Sequence, residues 1–164
     1  MNSRSHGTNN IADRLMTADK NQLAEQMADL TYELLENCQI KIERTAEKLN
    51  LTVAEFKLLR AVKADEVLSA GELAKRLGLS SSRITRIIEG LMKKGLVRKE
   101  AGGSDRRVVH IRLTAAGIQT RDQLKLMYVT VHQDIIDLLP SDAGESVMLA
   151  MHKLREATEE WVKQ

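Results

Sequence analysis

The side chains of this chain that can do chemistry are guanidinium, ammonium and hydroxyl groups, and they gather between Ser69 and Thr114. That segment holds eleven Lys and Arg against four Asp and Glu, whereas the whole chain is only +2. The remainder is therefore acidic, and the positive charge is a directed footprint, the kind that meets phosphate. Ser80, Ser81 and Ser82 can donate to phosphate oxygens. Arg83 and Arg86 can each grip a guanine edge through two parallel N–H bonds, and Thr85 carries a methyl suited to that of thymine. Lys93, Lys94, Arg98 and Lys99 suit the sugar–phosphate backbone, which positions a protein without being read. Arg106 and Arg107 follow Gly102-Gly103-Ser104-Asp105. On a narrow projecting loop, Arg107 with Arg106 beside it suits a minor groove, where the negative potential is strongest. Asp105 repels phosphate, so its expected partner is internal: an arginine such as Arg86, fixing the angle of the loop.

Other chemistry is poorly supplied. His6, His110, His132 and His152 are scattered without ligand spacing, so no metal is expected. His132, near the middle of a long helix, reads as a polar, exposed histidine, with a place facing an effector pocket as the alternative. No phosphate-binding glycine loop and no nucleophile–base set occurs, so neither an enzyme nor a cofactor is expected. With one Phe, one Trp and two Tyr, an aromatic-lined ligand cavity is hard to build. Any effector site would be lined mainly by Leu, Ile, Val and Met.

The elements that must position the basic groups are marked locally. Ser69-Ala70-Gly71-Glu72 has the form of a capping box and opens a helix with Leu73, Ala74 and Leu77 on one face. Gly78 stands where that helix must turn left-handed. Ser80, Ser81 and Ser82 supply cap candidates for the next helix, which buries Ile84, Ile87, Ile88 and Leu91 and stops at Gly95. A strand follows over Leu96 to Lys99, and a second over Val108 to Leu113 alternates Val109, Ile111 and Leu113 against Val108, His110 and Arg112. Two short helices about a glycine, then a basic hairpin, predict a winged helix-turn-helix. An ordinary helical hairpin in a bundle core is the competing reading.

At this point the order of residues becomes specific. Leu73-Ala74, Gly78, Ile84-Thr85-Arg86, Leu91, Gly95-Leu96-Val97, Asp105-Arg106-Arg107 and Leu113-Thr114-Ala115-Ala116-Gly117 together resemble the MarR family of bacterial transcriptional regulators. The Asp-x-Arg wing followed by Leu-Thr-x-x-Gly is the most recognisable part, and the similar organisation spans about residues 20–163. The resemblance implies a mainly α (α+β) fold and a homodimer whose first and last helices pair across a two-fold axis. It implies that the second helix of each motif enters the major groove and the wing tip reaches the minor groove. It also implies release from DNA by a small anionic or phenolic effector, or by cysteine oxidation.

The flanks fit that expectation. Leu23, Met27, Leu30, Leu34, Cys38, Ile42 and Leu49 form an apolar stripe. Thr52-Val53-Ala54-Glu55 opens a helix with Phe56, Leu59 and Val62 inward. Thr114 caps a long helix carrying Ile118, Leu124, Met127, Val131, Ile135 and Leu138. Leu139-Pro140-Ser141-Asp142 breaks it, and a final helix with Val147, Met151, Leu154 and Trp161 starts there, with proline in its first turn. The expected organisation is a disordered tail over 1–17, an N-terminal dimerisation helix over 18–50, the winged helix-turn-helix over 51–114 and C-terminal dimerisation helices over 115–164. A two-fold protein suits a pseudo-palindromic operator in double-stranded DNA, with half-sites about 34–36 Å apart.

Cys38, the single cysteine, excludes an intrachain disulfide and suits a cytoplasmic location. No apolar run approaches the roughly 20 residues of a membrane span. Cys38 lies on the apolar stripe, where a small buried thiol is ordinary. In relatives that sense peroxide the cysteine lies nearer the start of the first helix. Three function classes follow: a dimeric DNA-binding repressor relieved by a small molecule, a redox-responsive regulator acting through Cys38, and a winged-helix protein-interaction module.

Overall fold

A computed structural model of the chain describes residues 19–101 and 109–164. The expected tail over 1–17, together with Asp105, Arg106 and Arg107, lies outside them. The described chain divides into two units, one up to Arg44 and one from Thr45 onward.

The first unit is helical. Helix α1 (Lys20–Lys48) starts at Asp19, whose Oδ1 accepts from the backbone N–H groups of Asn21 and Gln22 at 2.9 Å each. Its stripe is not a core. Leu30 is 58 % and Leu34 61 % exposed, with Leu23 and Met27 close behind.

The second unit is built from local signals. Helix α2 (Val53–Ala61) opens with the Thr52–Glu55 capping box, both hydrogen bonds present. Strand β1 (Leu68–Ser69) leads directly into helix α3 (Ala70–Leu77), where Ser69 and Glu72 form the second capping box. Helix α4 (Ser81–Lys93) follows. Gly78 (φ +63°) and Gly95 (φ +70°) end α3 and α4 in left-handed turns. In each turn the next residue donates back five positions, Leu79 to Ala74 at 3.0 Å and Leu96 to Leu91 at 2.9 Å. Strands β2 (Val97–Ala101) and β3 (Val109–Leu113) pair antiparallel, Val97 opposite Leu113 and Lys99 opposite Ile111. Sheet order is β1-β3-β2, with Leu68 opposite Ile111. The two-residue β1 is too short to give a periodic signal. Leu68, Val97, Ile111 and Leu113 are buried, so this face of the sheet joins the core of Phe56, Leu58, Leu59, Leu73, Ile84, Leu91 and Leu124. Burying such a side chain is worth about 1.5–3 kcal/mol relative to leaving it in water.

Helix α5 (Ala115–Asp137) is clamped to the end of α4. Thr114 Oγ1 accepts from Gly117 N–H at 3.0 Å and donates to the Gly95 carbonyl at 2.6 Å. The Thr114 N–H donates to the Leu96 carbonyl at 3.0 Å. A Cβ on Gly117 would stand 1.9 Å from that same carbonyl oxygen. The Leu-Thr-x-x-Gly signature is thus a cap plus a close backbone approach. Helix α6 (Gly144–Val162) corrects one expectation: it starts four residues after Pro140, which sits in the linking turn with its carbonyl accepting from Ala143. No side chain caps α6, so proline spacing alone misplaced its start. Val147, Met151, Leu154 and Trp161 are all exposed, the tryptophan at 72 %.

Candidate nucleic-acid interface

Helix α4 has two unlike faces. Ile84, Ile87, Ile88 and Leu91 are buried, which turns Ser81, Ser82, Arg83, Thr85, Arg86 and Lys93 to solvent. Ser80 is the N-cap residue, but its hydroxyl makes no bond to the first-turn N–H groups. It stands 3.2 Å from Ser82 Oγ instead. The start of α4 therefore keeps its backbone donors and the positive end of its dipole uncommitted to a cap. The Thr85 hydroxyl donates to the Ser81 carbonyl at 2.9 Å, which fixes its rotamer and takes the hydroxyl hydrogen out of recognition.

The basic residues divide sharply. Among the described residues Arg83, Arg86, Lys93 and Lys99 make no ion pair. Arg76 is fully engaged, with two bonds to Glu66 (2.7 and 2.8 Å) and one to the Ala61 carbonyl. Arg98 and Arg112 share Glu100, at 2.7 and 3.2 Å, and hold its carboxyl below the usual range. Lys94 is engaged within the protein as well. Read from the sequence as a backbone contact, it turns back into the lobe, 2.7 Å from Glu55 Oε2 and 2.6 Å from the Asn50 carbonyl. A chain that places Glu55 and Lys94 thirty-nine positions apart gives no local hint of this pair. The suggested Asp105–Arg86 pair involves a residue outside the described ones.

Between α2 and α5 lies a group that sequence reasoning undervalued. His132 is not exposed but half-buried, its ring 4.5 Å from that of Tyr128 and its Nδ1 2.6 Å from the Tyr128 carbonyl. Tyr128 also meets Phe56 at 6.2 Å and carries Arg60 over its face at 4.7 Å. The i,i+4 spacing of Tyr128 and His132 was the available signal. Cys38 is half-buried, with Lys41 Nζ 3.8 Å from its sulfur. The described residues contain no group of His, Cys, Asp and Glu able to hold a metal ion. No described helix is long and apolar enough to cross a membrane.

Helix α4 thus combines a hydroxyl-rich start with Arg83 and Arg86, exposed and without an ion pair among the described residues. Residues 49–108, which include this helix, match a sequence model of the MarR family. The chain is 30 % identical over 107 residues to the multiple antibiotic resistance protein MarR of Escherichia coli, covering 65 % of this chain and 74 % of that one. The chain belongs to the MarR family. This MarR-family chain is also 29 % identical over 112 residues to the HTH-type transcriptional regulator SarZ of Staphylococcus haemolyticus, covering 68 % and 76 % of the two chains. Its fold is shared with an S. aureus MepR mutant bound to an oligodeoxyribonucleotide: TM-score 0.61 at 18 % identity, over 80 % of this chain and 97 % of that one. As a MarR-family protein, the chain is a DNA-binding transcriptional regulator with a winged helix.

Proposed function

We propose that the protein is a homodimeric, sequence-specific repressor that binds a pseudo-palindromic operator and is relieved by a small-molecule effector. The observation that carries the reading is the outward face of α4, where Ser81, Ser82, Arg83, Thr85 and Arg86 are all exposed. In this reading α4 enters the major groove. Arg83 and Arg86 read guanine, Thr85 offers its methyl to thymine, and the serines hold phosphate. Lys93 and Arg98 neutralise the backbone, Arg98 with the donors that Glu100 leaves open. Arg107, with Arg106, reaches the minor groove, and Asp105 sets the wing. The exposed apolar side chains of α1 and α6 support a two-fold partner, since soluble monomers rarely leave such stripes in water. The MarR relationship supports repression and effector release.

The test is fluorescence anisotropy with duplexes tiling the DNA upstream of the protein's own gene, at several salt concentrations. Nanomolar binding to one palindromic segment, far tighter than to scrambled DNA, is expected. Equal, weak binding to every segment and to DNA selected genome-wide would leave the protein-interaction module standing. A redox reading has one observation in its favour, the half-buried Cys38 with Lys41 Nζ 3.8 Å from its sulfur. Peroxide should then release DNA from the wild-type protein and not from Cys38→Ser.

A further inference from the structure

One half-buried ionic contact in the lobe, with the Lys94 side chain 31 % exposed, is left over once the outward face of α4 has been assigned. Glu55 occupies the third position of α2, and its side chain is only 5 % exposed. Its Oε2 accepts from the Thr52 N–H at 2.7 Å and from Lys94 Nζ at 2.7 Å. Lys94 is the C-cap residue of α4 and also donates to the Asn50 carbonyl at 2.6 Å. Asn50 is the one described non-glycine residue with positive φ (+53°), in the turn that enters α2. The fourth member is Gly90, inside α4. A Cβ there would stand 2.5 Å from Glu55 Oε1. A carboxylate at the free end of a flexible chain would simply move aside, but this one is held by two donors. A glycine in mid-helix is unfavourable by propensity, and here it makes room for the close approach of Glu55.

We propose that Lys94 is a positioning residue for DNA reading: bound to Glu55 and Asn50 beside the bare backbone of Gly90, it sets the angle of α4 on α2 and makes no phosphate contact. The inference rests on the DNA-reading function proposed above. An ammonium that left this site for a phosphate would abandon a buried carboxylate without its partner, which is strongly disfavoured. The contact also sits at the far end of α4 from the base-reading turns. From Lys94 to Ser82 the helix extends about 18 Å, so a tilt of roughly 5° at one end moves the other by about 1.5 Å. That exceeds the tolerance of a hydrogen bond to a base edge. Loosening the contact therefore weakens specific recognition without removing any charge that faces DNA.

Salt dependence separates the two roles, because each phosphate contact contributes about 0.9 to the slope of log affinity against log salt. The experiment compares wild type, Lys94→Met, Glu55→Gln, the double variant and Lys93→Met on a duplex that the wild-type protein selects from random-sequence DNA. Amide hydrogen exchange of α4 is measured on the same proteins without DNA. Lys94→Met and Glu55→Gln are each expected to weaken binding about tenfold with an unchanged salt slope, and the double variant no further than the worse single. Both should speed exchange in α4, whereas Lys93→Met should lower the slope and leave exchange alone. A slope reduced by about one in Lys94→Met, with Glu55→Gln binding normally, would overturn the proposal and return Lys94 to the phosphates. Should Lys94→Met not fold, Glu55→Gln, which keeps its shape and cap acceptor, decides by the same two readouts. If the wild-type protein selects no duplex, specific DNA reading fails. Exchange in α4 then decides separately whether the contact holds the helix, and unchanged exchange overturns that as well.

Discussion

At the scale of single residues, chemistry and packing make different demands on side chains that look alike in the sequence. Arg76, Arg83, Arg86 and Arg98 are all arginines of one basic segment, yet Arg76 is tied to Glu66 and a backbone carbonyl while Arg83 and Arg86 face solvent without an ion pair among the described residues. Arg83→Ala is therefore expected to relax base preference at one operator position by about 1–3 kcal/mol, read by competition between single-base variants of the duplex. Arg107→Ala should weaken operator binding more than Lys163→Ala, since Lys163 is an exposed charge near the end of α6, paired with Glu160 at 3.6 Å. Equal effects of the two would remove the wing assignment. Gly117 makes a packing demand. An alanine there must displace the Leu96 carbonyl, so Gly117→Ala should cost about 3 kcal/mol in urea unfolding. Position 117 is legible as a family signature, but the reason for it is not: the carbonyl it avoids belongs to a residue twenty-one positions earlier.

At the scale of elements, the lobe is held by caps and by ion pairs that join one element to the next. Caps are legible because both partners lie within four residues: Thr52 with Glu55, Ser69 with Glu72, and Thr114 with Gly117. Removing the Ser69 cap by Ser69→Ala should cost about 1 kcal/mol. The ion pairs are not legible, because Glu66–Arg76 and Glu55–Lys94 depend on how the chain folds back. Two bonds from Arg76 and one from the Lys63 N–H hold the Glu66 carboxyl down to about 2, from an ordinary 4.5. Its folded value lies below its unfolded one, so its contribution is complete above about pH 4.5 and fades as the pH falls toward 2. Glu66→Gln should accordingly flatten the fall in melting temperature across that window, and an acid limb identical to wild type would show that the pair contributes nothing. Glu55 shows the balance of opposing causes. Burial pushes its carboxyl up, yet hydrogen bonds from Lys94 and Thr52 outweigh that and leave it lowered.

At the scale of the whole molecule, apolar surface is unevenly distributed among the elements. The lobe buries Phe56, Leu59, Ile84 and Leu91 completely, whereas α6 buries none of its residues. A helix that shows Val147, Met151, Leu154 and Trp161 to water gains stability only from a surface that covers them. Leu154→Glu should lower the mass seen by light scattering from dimer to monomer. Operator binding should weaken with it, because a single lobe engages one half-site. A dimer that persists with full affinity would place the two-fold contact elsewhere.

The sequence by itself determined whatever depends on neighbours a few positions apart. The helix starts at Thr52, Ser69 and Thr114, the left-handed turn at Gly78, the stop at Gly95, the buried face of α4 and the two longer strands were all readable, because a cap, a turn or a period is closed within one or two turns of chain. Pro140 shows the limit of such signals, since proline marks a break but not the residue at which the next helix resumes. Only the tertiary structure decided which basic groups remain for a ligand. It added the strand at Leu68, brought Phe56 and Arg60 to Tyr128, and tied Lys94 to Glu55. Each of these is a contact between distant positions, fixed by the closure of the core and not by any local preference of the residues that make it.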